Sequence, residues 1–341
     1  MRGLALILAA CVAGCSGCPV LAPQAQHATG GIPPEVAALR PRYQQALAKA
    51  RRWLDVLHVD PNELRRVGIK GKKKLVEQLD AYYRLLRVAS PAERPGLRAR
   101  IRQVAAVTYL DRYHDMLTIS ERWFKQDATS YLRAAVLMER LGLDTRRYRQ
   151  EIKKAHGRLN GHMGKRGPHQ RRVFHWYYKH FGLEEPFPLG QALKGGVIAR
   201  RVAPGKLDNT GVYDLTHEIY ALYEYGDRLD VDPFGATAKQ YLRRAFGVLV
   251  ARYIRKRNPD LAAELVECMH YLRLQNEAAY RDGVRFLLET QNADGSWGEY
   301  ERYRKRYGDY VRHGLLLHTT LVAIGALAAV FDQPMPPVRG Q

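Results

Sequence analysis

Five side chains in the C-terminal half of the chain belong to the residue types that transfer protons or bind metal ions. They are His217, Glu218, Glu264, Cys268 and His318. Imidazole, carboxylate and thiolate groups can act as acids, bases or zinc ligands when several of them face one cavity. We therefore predict an acid–base site made of His217, Glu218, Glu264 and His318. Zinc is the metal that these donors would suit, with His217, Cys268 and His318 as its ligands.

Each of these residues lies in a stretch with helical spacing of apolar residues. Glu218 falls inside an apolar stripe, where a carboxylate must be paired or neutralised. Asp260, Glu264 and Cys268 follow one another at spacings of four and so share one face of a helix. A structural interpretation stays open beside the catalytic one. In it, Glu264 pairs with an arginine, Asp260 favours the helix N-terminus, and His318 hydrogen-bonds a buried carbonyl.

The elements that carry these residues are predicted to be helices throughout. Apolar residues recur mostly at spacings of three and four, which is the period of amphipathic helices. The sequence therefore predicts an all-α fold, with helices over 36–54, 75–86, 92–110, 112–124, 127–141, 145–158, 169–181, 213–226, 234–257, 259–272, 276–290 and 312–331. The last of these contains an apolar run of about 18 residues that His318 interrupts, which favours a buried helix over a membrane span.

In the C-terminal half the helices follow one another as pairs with a period of roughly 50 residues, as in solenoids and helical barrels. One motif, Gln291-x-x-x-Gly295-x-Trp297, resembles the Q-x-x-x-G-x-W element of the terpenoid cyclase and protein prenyltransferase toroids. The resemblance implies one domain over residues 35–332, built as an α/α toroid (a barrel of helical pairs) around a central cavity. An ordinary helix closed by an Asp-Gly turn is the alternative.

The resemblance does not extend to the catalytic motifs of those enzymes. Asp230-Val231-Asp232-Pro233 lacks the final acid of the D-x-D-D motif of squalene-type cyclases. The Asp-x-Cys pair that helps protein prenyltransferases hold zinc is absent, and His318-Thr319-Thr320 matches their histidine segment only in part. These departures count against terpene cyclisation and leave the reaction open.

The N-terminus has the pattern of a bacterial lipoprotein leader. Arg2 precedes an apolar run, and Val12-Ala13-Gly14-Cys15 resembles a lipobox. We predict a signal peptide over 1–14 and a lipidated Cys15. Cleavage before Cys11 would leave an apolar run of only about six residues, so Cys15 is preferred. A plain secretory signal is the remaining alternative.

The sequence also predicts two flexible segments and a cellular location. Residues 15–34 contain Pro, Gly and Gln without periodicity and are predicted to form a flexible tether, and residues 333–341 a flexible Pro-rich tail. Ser16, where lipoproteins kept in the inner membrane carry Asp, favours the outer membrane by resemblance. The predicted location is the bacterial cell envelope. Cys268 is then the one cysteine of the body, and we expect it to be buried and unpaired rather than joined to Cys18.

The chain is strongly basic, with 55 Lys and Arg against 34 Asp and Glu and a net charge of +21. Much of the excess falls in residues 140–206, where His and aromatic residues are interleaved with Lys and Arg. Such a surface would attract anionic lipid or polysaccharide, and an exported protein is less expected to bind nucleic acid. A solvated basic face without a ligand is the alternative.

Two classes of function remain. The first is a lipid-anchored enzyme that acts on a polyisoprenoid or a glycan in the central cavity of the toroid. The second is a non-catalytic envelope lipoprotein that uses its basic surface to contact anionic partners. P-loop, G-x-G-x-x-G, H-E-x-x-H and G-x-S-x-G motifs are absent from the sequence, so nucleotide, thermolysin-like and serine-hydrolase chemistry lack their usual signatures.

Overall fold

A computed structural model describes residues 32–188, 190 and 194–332, and all regular secondary structure in these residues is helical. The N-terminal half contains α1 (Pro34–Ala37), α2 (Arg40–Asp55), α3 (Pro61–Arg66), α4 (Gly71–Val88), α5 (Arg94–Ala105), α6 (Glu121–Arg140), α7 (Arg146–Lys154), α8 (His156–Gly164) and α9 (Pro168–Phe181). The C-terminal half contains α10 (Val197–Arg200), α11 (Asn209–Leu222), α12 (Ala236–Arg255), α13 (Pro259–Tyr271), α14 (Ala278–Glu289), α15 (Tyr300–Tyr307) and α16 (Leu315–Asp332).

The predicted all-α class is confirmed, while several predicted helix bounds are wrong. The predicted helix 112–124 is mostly a 3-10 turn and loop, because α6 begins only at Glu121. The predicted helix 36–54 is divided into α1 and α2, and 145–158 into α7 and the first residues of α8. Helices α3, α10 and α15 were not predicted, since four to eight residues are too few for an apolar period to be detected.

The predicted leader and tail fall outside the described residues. This applies to the signal peptide over 1–14, to Cys15 and Cys18, to the tether except for its last three residues, and to the tail over 333–341. Helix α1 begins at Pro34, the last residue of the predicted tether. Cys268 is buried and carries no disulfide within the described part of the chain.

Six of the long helices contact one another in a fixed order. α4 packs against α6 and α16, α16 against α13, α13 against α11, α11 against α9, and α9 against α6. The remaining long helices pack on the outside of these six, with α2 against α16, α5 against α4, and α12 and α14 against α13.

The six helices run in the same direction. Near their N-terminal ends, Glu77 of α4 lies beside His318 of α16. Further along, Arg84 of α4 pairs with Glu267 of α13, and a Cβ atom at Gly325 of α16 would meet the Arg84 guanidinium. Residues near the N-terminal ends of these helices therefore contact one another, and so do residues near their C-terminal ends. The N-termini of the helices thus lie at one end of the assembly.

Helices α13 and α16 form the centre of the core. Every residue of α13 is buried, and so are most residues of α16. Helix α16 is long and apolar enough to span a membrane by length and composition, but 83% of it is buried inside the protein. It was expected to be a buried helix, and burial among α2, α4 and α13 accounts for its apolar composition.

The Gln291-x-x-x-Gly295-x-Trp297 loop follows α14, leads into α15, and contacts α2 and α16. The Gln291 side chain donates to the Ala46 carbonyl of α2 at 2.8 Å and to the Gly295 carbonyl at 3.0 Å. Trp297 is fully buried, donates from Nε1 to the Leu287 carbonyl at 2.8 Å, and its backbone N–H donates to Thr320 at 3.0 Å. Gly295 has φ +98° and lies so close to α2 that a side chain would collide with its backbone. The contacts of the motif thus hold the loop against α2 and α16.

Candidate functional site

Three of the predicted site residues meet near the N-terminal ends of the six packed helices. Nε2 of His318 lies 3.8 Å from Oε1 of Glu264, and Nδ1 of His217 lies 3.8 Å from Oε2 of the same carboxylate. His217 belongs to α11, Glu264 to α13 and His318 to α16. Glu264 is therefore the carboxylate between two histidines, rather than the partner of an arginine.

Two further carboxylates complete this cluster. Glu77 of α4 lies with Oε1 2.9 Å from Nδ1 of His318, and Asp260 of α13 lies with Oδ1 3.8 Å from Nε2. His318 thus contacts three acids and not the backbone carbonyl of the structural interpretation. We name His217, Glu264, His318, Glu77 and Asp260 the His/acid cluster. The first three were predicted as site residues, whereas Glu77 and Asp260 were not.

Neutral donors and lysines hold the carboxylates of the His/acid cluster in place. Asp260 accepts hydrogen bonds from the hydroxyl groups of Tyr213 and Thr319, the latter at 3.0 Å. Glu264 accepts one from the hydroxyl of Thr216. Glu77 pairs with the ammonium groups of its neighbours on α4, Lys74 at 2.6 Å and Lys73 at 3.4 Å. Each buried carboxylate therefore has at least one donor, as burial of a charge requires.

The cluster holds His318 as a cation. Burial alone lowers the pKa of the imidazole, but the carboxylates of Asp260, Glu77 and Glu264 outweigh this and raise the His318 pKa to about 9. Burial likewise acts to raise the pKa of Glu77 and Glu264, and the adjacent cations hold both below their ordinary value. The site is an imidazolium surrounded by ionised carboxylates at neutral pH.

His217 lies at the open side of the cluster with a defined tautomer. Its Nδ1–H donates to the Tyr213 carbonyl at 2.8 Å, because a carbonyl can only accept. Nε2 is therefore the ring nitrogen that this bond leaves free, and 32% of the side chain is exposed against 19% for His318. The His169 ring lies 6.1 Å from that of His217, and its burial is the main cause that lowers its pKa to about 4. His217 is thus the more accessible histidine of the cluster.

Glu218 and Cys268 lie apart from the two histidines. Glu218 points to the start of α10, where its carboxylate accepts the backbone N–H groups of Val197 at 2.6 Å and Ile198 at 3.3 Å. Cys268 is fully buried and its thiol lies 3.7 Å from the Thr216 carbonyl. Glu218 thus has a capping role in this structure. The structure does not bring Glu218 or Cys268 to the two histidines of the His/acid cluster.

The donor set does not fit a zinc ion. Burial raises the pKa of the Cys268 thiol well above its ordinary value, which disfavours the thiolate that binds metal. His318 is held protonated, so its ring nitrogens carry protons rather than lone pairs. Over the described residues, no group of three or more His, Cys, Asp or Glu side chains is arranged to hold a metal ion.

Beyond the His/acid cluster, the interior of the six helices is filled by further ion pairs. Arg84 pairs with Glu267, which also accepts hydrogen bonds from the hydroxyl groups of Tyr271 at 2.6 Å and Tyr220 at 3.0 Å. Asp80 accepts from Arg133 at 3.0 Å. These side chains neutralise one another among the six helices, away from the open side of the site.

The basic segment 140–206 does not present its aromatic residues to solvent as a patch. Tyr177 and Tyr178 are buried in the core, and Trp176 is half-buried. His175 and His180 pair with acids of neighbouring segments, Glu185 at 2.5 Å and Glu139 at 2.7 Å. Aromatic spacing in this segment therefore reflects core packing.

Comparison with known proteins gives a family but no described function. No curated protein and no solved structure matches the chain. A family model described as "Domain of unknown function (DUF6895)" matches residues 42–328, a range that includes every residue of the His/acid cluster. Since this match covers most of the sequence, the chain belongs to the DUF6895 family.

Proposed function

We propose that this protein is a lipid-anchored enzyme of the bacterial cell envelope that performs proton transfer on a glycan, with the His/acid cluster as its active site. The observation that carries the proposal is the meeting of His217, Glu264 and His318 from three helices at a partly open position. A partly exposed histidine beside a buried imidazolium can supply a base and a fixed positive charge in one place.

The proposed architecture is an α/α toroid in which α4, α6, α9, α11, α13 and α16 are the inner helices. Their order of contacts returns to its starting helix, and their common direction requires that other helices return the chain between them. The Gln291–Trp297 loop, which follows the outer helix α14 and contacts α2 and the inner helix α16, agrees with the resemblance to toroid enzymes. The His/acid cluster then lies at the N-terminal mouth of the toroid.

A glycan suits this interior better than a polyisoprenoid. An isoprenoid chain needs an apolar channel, whereas the described side chains that face inward include Asp80, Arg84, Arg133, Glu264 and Glu267. Burying an apolar chain against these groups would remove their polar partners at a cost of several kcal/mol (roughly 3–5 for one broken pair). Hydroxyl groups of a sugar could instead exchange hydrogen bonds with the mouth of the toroid.

In the proposed mechanism Nε2 of His217 removes a proton from the substrate or from an attacking water. Its Nδ1–H remains bonded to the Tyr213 carbonyl, which keeps the ring oriented and stabilises the positive charge that develops. His318, already protonated, stabilises negative charge on the substrate and can donate a proton from Nε2. Glu77 holds the other ring nitrogen of His318 in place.

Replacing His217 by Gln is expected to reduce activity by about 10²–10⁴, the usual contribution of a general base. Turnover would be measured as soluble products released from peptidoglycan, alginate and polygalacturonate by the purified mature protein. His318→Gln should give a loss of similar size. His156→Gln is the matched control, since half-buried His156 lies on α8, outside the His/acid cluster, and bonds the Glu184 carbonyl, and it should retain full activity.

This experiment also separates the two classes of function. Product release that survives in His217→Gln would disprove the catalytic assignment. Binding of these polymers without product release, unchanged in both active-site variants, would instead favour a non-catalytic lipoprotein that binds through its basic surface. Circular dichroism and thermal unfolding of each variant would show whether lost activity follows from lost structure.

Cys15→Ser is expected to release the protein from membranes. The lipobox-like Val12-Ala13-Gly14-Cys15 is what supports the anchor, and a serine cannot be processed as a lipidated cysteine. Membrane and soluble fractions of cells that express each form would be compared by immunoblotting, with Cys11→Ser as the control that should remain membrane-bound. Unchanged membrane association of Cys15→Ser together with release of Cys11→Ser would move the lipidation site to Cys11.

A further inference from the structure

An open cavity of about 440 Å³ lies on the outside of α3 and α6 and is lined mainly by arginines. Its walls are Asn62, Arg65, Arg66, Arg112 and Trp123. We name it the Arg/Trp cavity. Its volume falls within the range of roughly 300–1,000 Å³ in which proteins bind small ligands, and none of its residues belongs to the His/acid cluster.

One wall of the Arg/Trp cavity is rigid. The Arg65 guanidinium bonds Asp127 at 2.7 Å and Asp115 at 3.3 Å, and it lies over the Trp123 ring at 5.2 Å from the centroid. Asp115 in turn pairs with the buried ammonium of Lys72. The acids nearest to Arg65 are therefore already paired inside the protein, and the half-buried Trp123 ring is held in one orientation.

The other wall keeps cationic donors exposed. Arg66 is exposed, and among the described residues no carboxylate lies within ion-pair distance of it. Arg112 pairs with Asp60 at 3.3 Å through one terminal nitrogen only, with 57% of its side chain exposed. A guanidinium has five donors, so both arginines can bind a carboxylate while their present contacts remain.

The Arg/Trp cavity lies at the same end of the six helices as the His/acid cluster. Arg66 ends α3 just before α4 begins, and Trp123 lies in the first turn of α6. On the first turn of α4, Lys72 is linked through Asp115 to Arg65, while the next residue, Lys73, pairs with Glu77. The two sites are therefore connected by consecutive residues of one helical turn.

We propose that the Arg/Trp cavity binds an acidic sugar unit of the same polymer whose other units occupy the His/acid cluster. Guanidinium groups match a carboxylate in geometry and charge, and an indole ring provides a flat wall against which a sugar ring can pack. The inference rests on the proposed glycan substrate and narrows it to a polymer that contains uronic acids. The Arg/Trp cavity then selects the acidic polymer, and the His/acid cluster performs the chemistry.

The test measures binding separately from turnover. The full mature chain carrying His217→Gln is titrated calorimetrically with tetragalacturonate, with maltotetraose as a neutral tetrasaccharide and with tripolyphosphate as an anion without sugar. Arg66→Ala, added to this background, is expected to weaken tetragalacturonate binding by about tenfold or more, since the carboxylate loses a charge-assisted hydrogen bond. Trp123→Ala should weaken binding as well, since the sugar ring loses the indole against which it packs. Arg244→Ala, which removes an exposed arginine of the outer helix α12, should change the Kd less than about twofold.

Four results would overturn the proposal. They are an unchanged Kd in both cavity variants, an equal loss in Arg244→Ala, equally tight binding of maltotetraose, or equally tight binding of tripolyphosphate through the same residues. The second would reveal unspecific charge attraction, the third a site that does not recognise carboxylates, and the fourth a site for phosphates. Since turnover is already removed in the His217→Gln background, none of these results depends on whether the catalytic assignment is correct.

Discussion

Replacing Arg84 by methionine is expected to lower the free energy of unfolding by about 3–5 kcal/mol, because it leaves a buried carboxylate without its cation. Arg84 pairs with Glu267, which is 1% exposed, and lies 3.6 Å from Asp80. Methionine keeps most of the apolar volume of the arginine side chain, so the loss reports on charge rather than on a cavity. Urea denaturation at pH 7 would measure it.

The expected loss of stability is large because Glu267 stays buried and charged when Arg84 is removed. Without Arg84, Glu267 keeps the hydroxyl groups of Tyr220 and Tyr271 as hydrogen-bond donors but has lost its opposite charge. The double variant Arg84→Met/Glu267→Gln keeps the hydrogen bonds and removes both charges. It should therefore be more stable than Arg84→Met alone, as replacing a whole buried pair is often close to neutral.

Arg87→Met provides the control on the same helix. Arg87 pairs with Asp227 at 3.1 Å and is 33% exposed, and Asp227 has a second partner in Arg140. Such a pair typically contributes less than about 1 kcal/mol. A loss in Arg84→Met no larger than the loss in Arg87→Met would show that the interior charges are hydrated and not part of a tight core.

The interior ion pairs and the His/acid cluster differ in how their charges are used. Deep among the six helices, arginine and carboxylate neutralise each other and tyrosine hydroxyls take the remaining acceptor positions. In the cluster, one imidazolium faces three carboxylates, and the fifth member, His217, lies next to them with a partly exposed side chain. An arrangement with an accessible base next to strongly perturbed groups is typical of active sites.

The sequence allowed part of this cluster to be predicted. His318 stands out because it interrupts an apolar run, Glu264 because it shares one helix face with Asp260 and Cys268, and His217 because it lies beside Glu218 in an apolar helix. A polar side chain on a buried helix must find a partner. Asp260 was placed on the same face as Glu264, but its position in the first turn of α13 offered a sufficient local explanation as a favourable charge at a helix N-terminus. Only the approach of α16 shows that it faces a histidine.

Glu77 could not be recognised from sequence for a different reason. It follows Lys72, Lys73 and Lys74 in a segment whose charges are typical of a solvated helix face. In the structure α4 is buried on nearly all sides because it packs against α5, α6 and α16. The burial of these charges depends on neighbours far away in sequence, which a local pattern does not contain. The Arg/Trp cavity was missed likewise, since α3 and its contacts with α6 could not be predicted.

The pH dependence of stability provides a direct test of the charge state of the His/acid cluster. The His318 pKa is raised to about 9 in the folded protein, whereas an unfolded histidine has a pKa of about 6.5. Because the folded value is the higher one, the stabilisation is fully present below pH 6.5 and is lost as the pH rises to about 9. At 1.36 kcal/mol per pKa unit, the whole contribution is about 3 kcal/mol.

Unfolding free energies would be measured at intervals from pH 6 to pH 9.5 for the wild-type protein and for His318→Gln. Lys73, Lys74, His217 and the three carboxylates also face His318, so only the difference between the two proteins isolates its titration. That difference should shrink by about 3 kcal/mol over the interval, and a constant difference would mean that folding does not raise the His318 pKa. If His318→Gln does not fold, the NMR titration of the His318 ring in the wild-type protein decides the question. A midpoint near or below pH 6.5 would remove the imidazolium from the proposed mechanism, which would then depend on His217 alone.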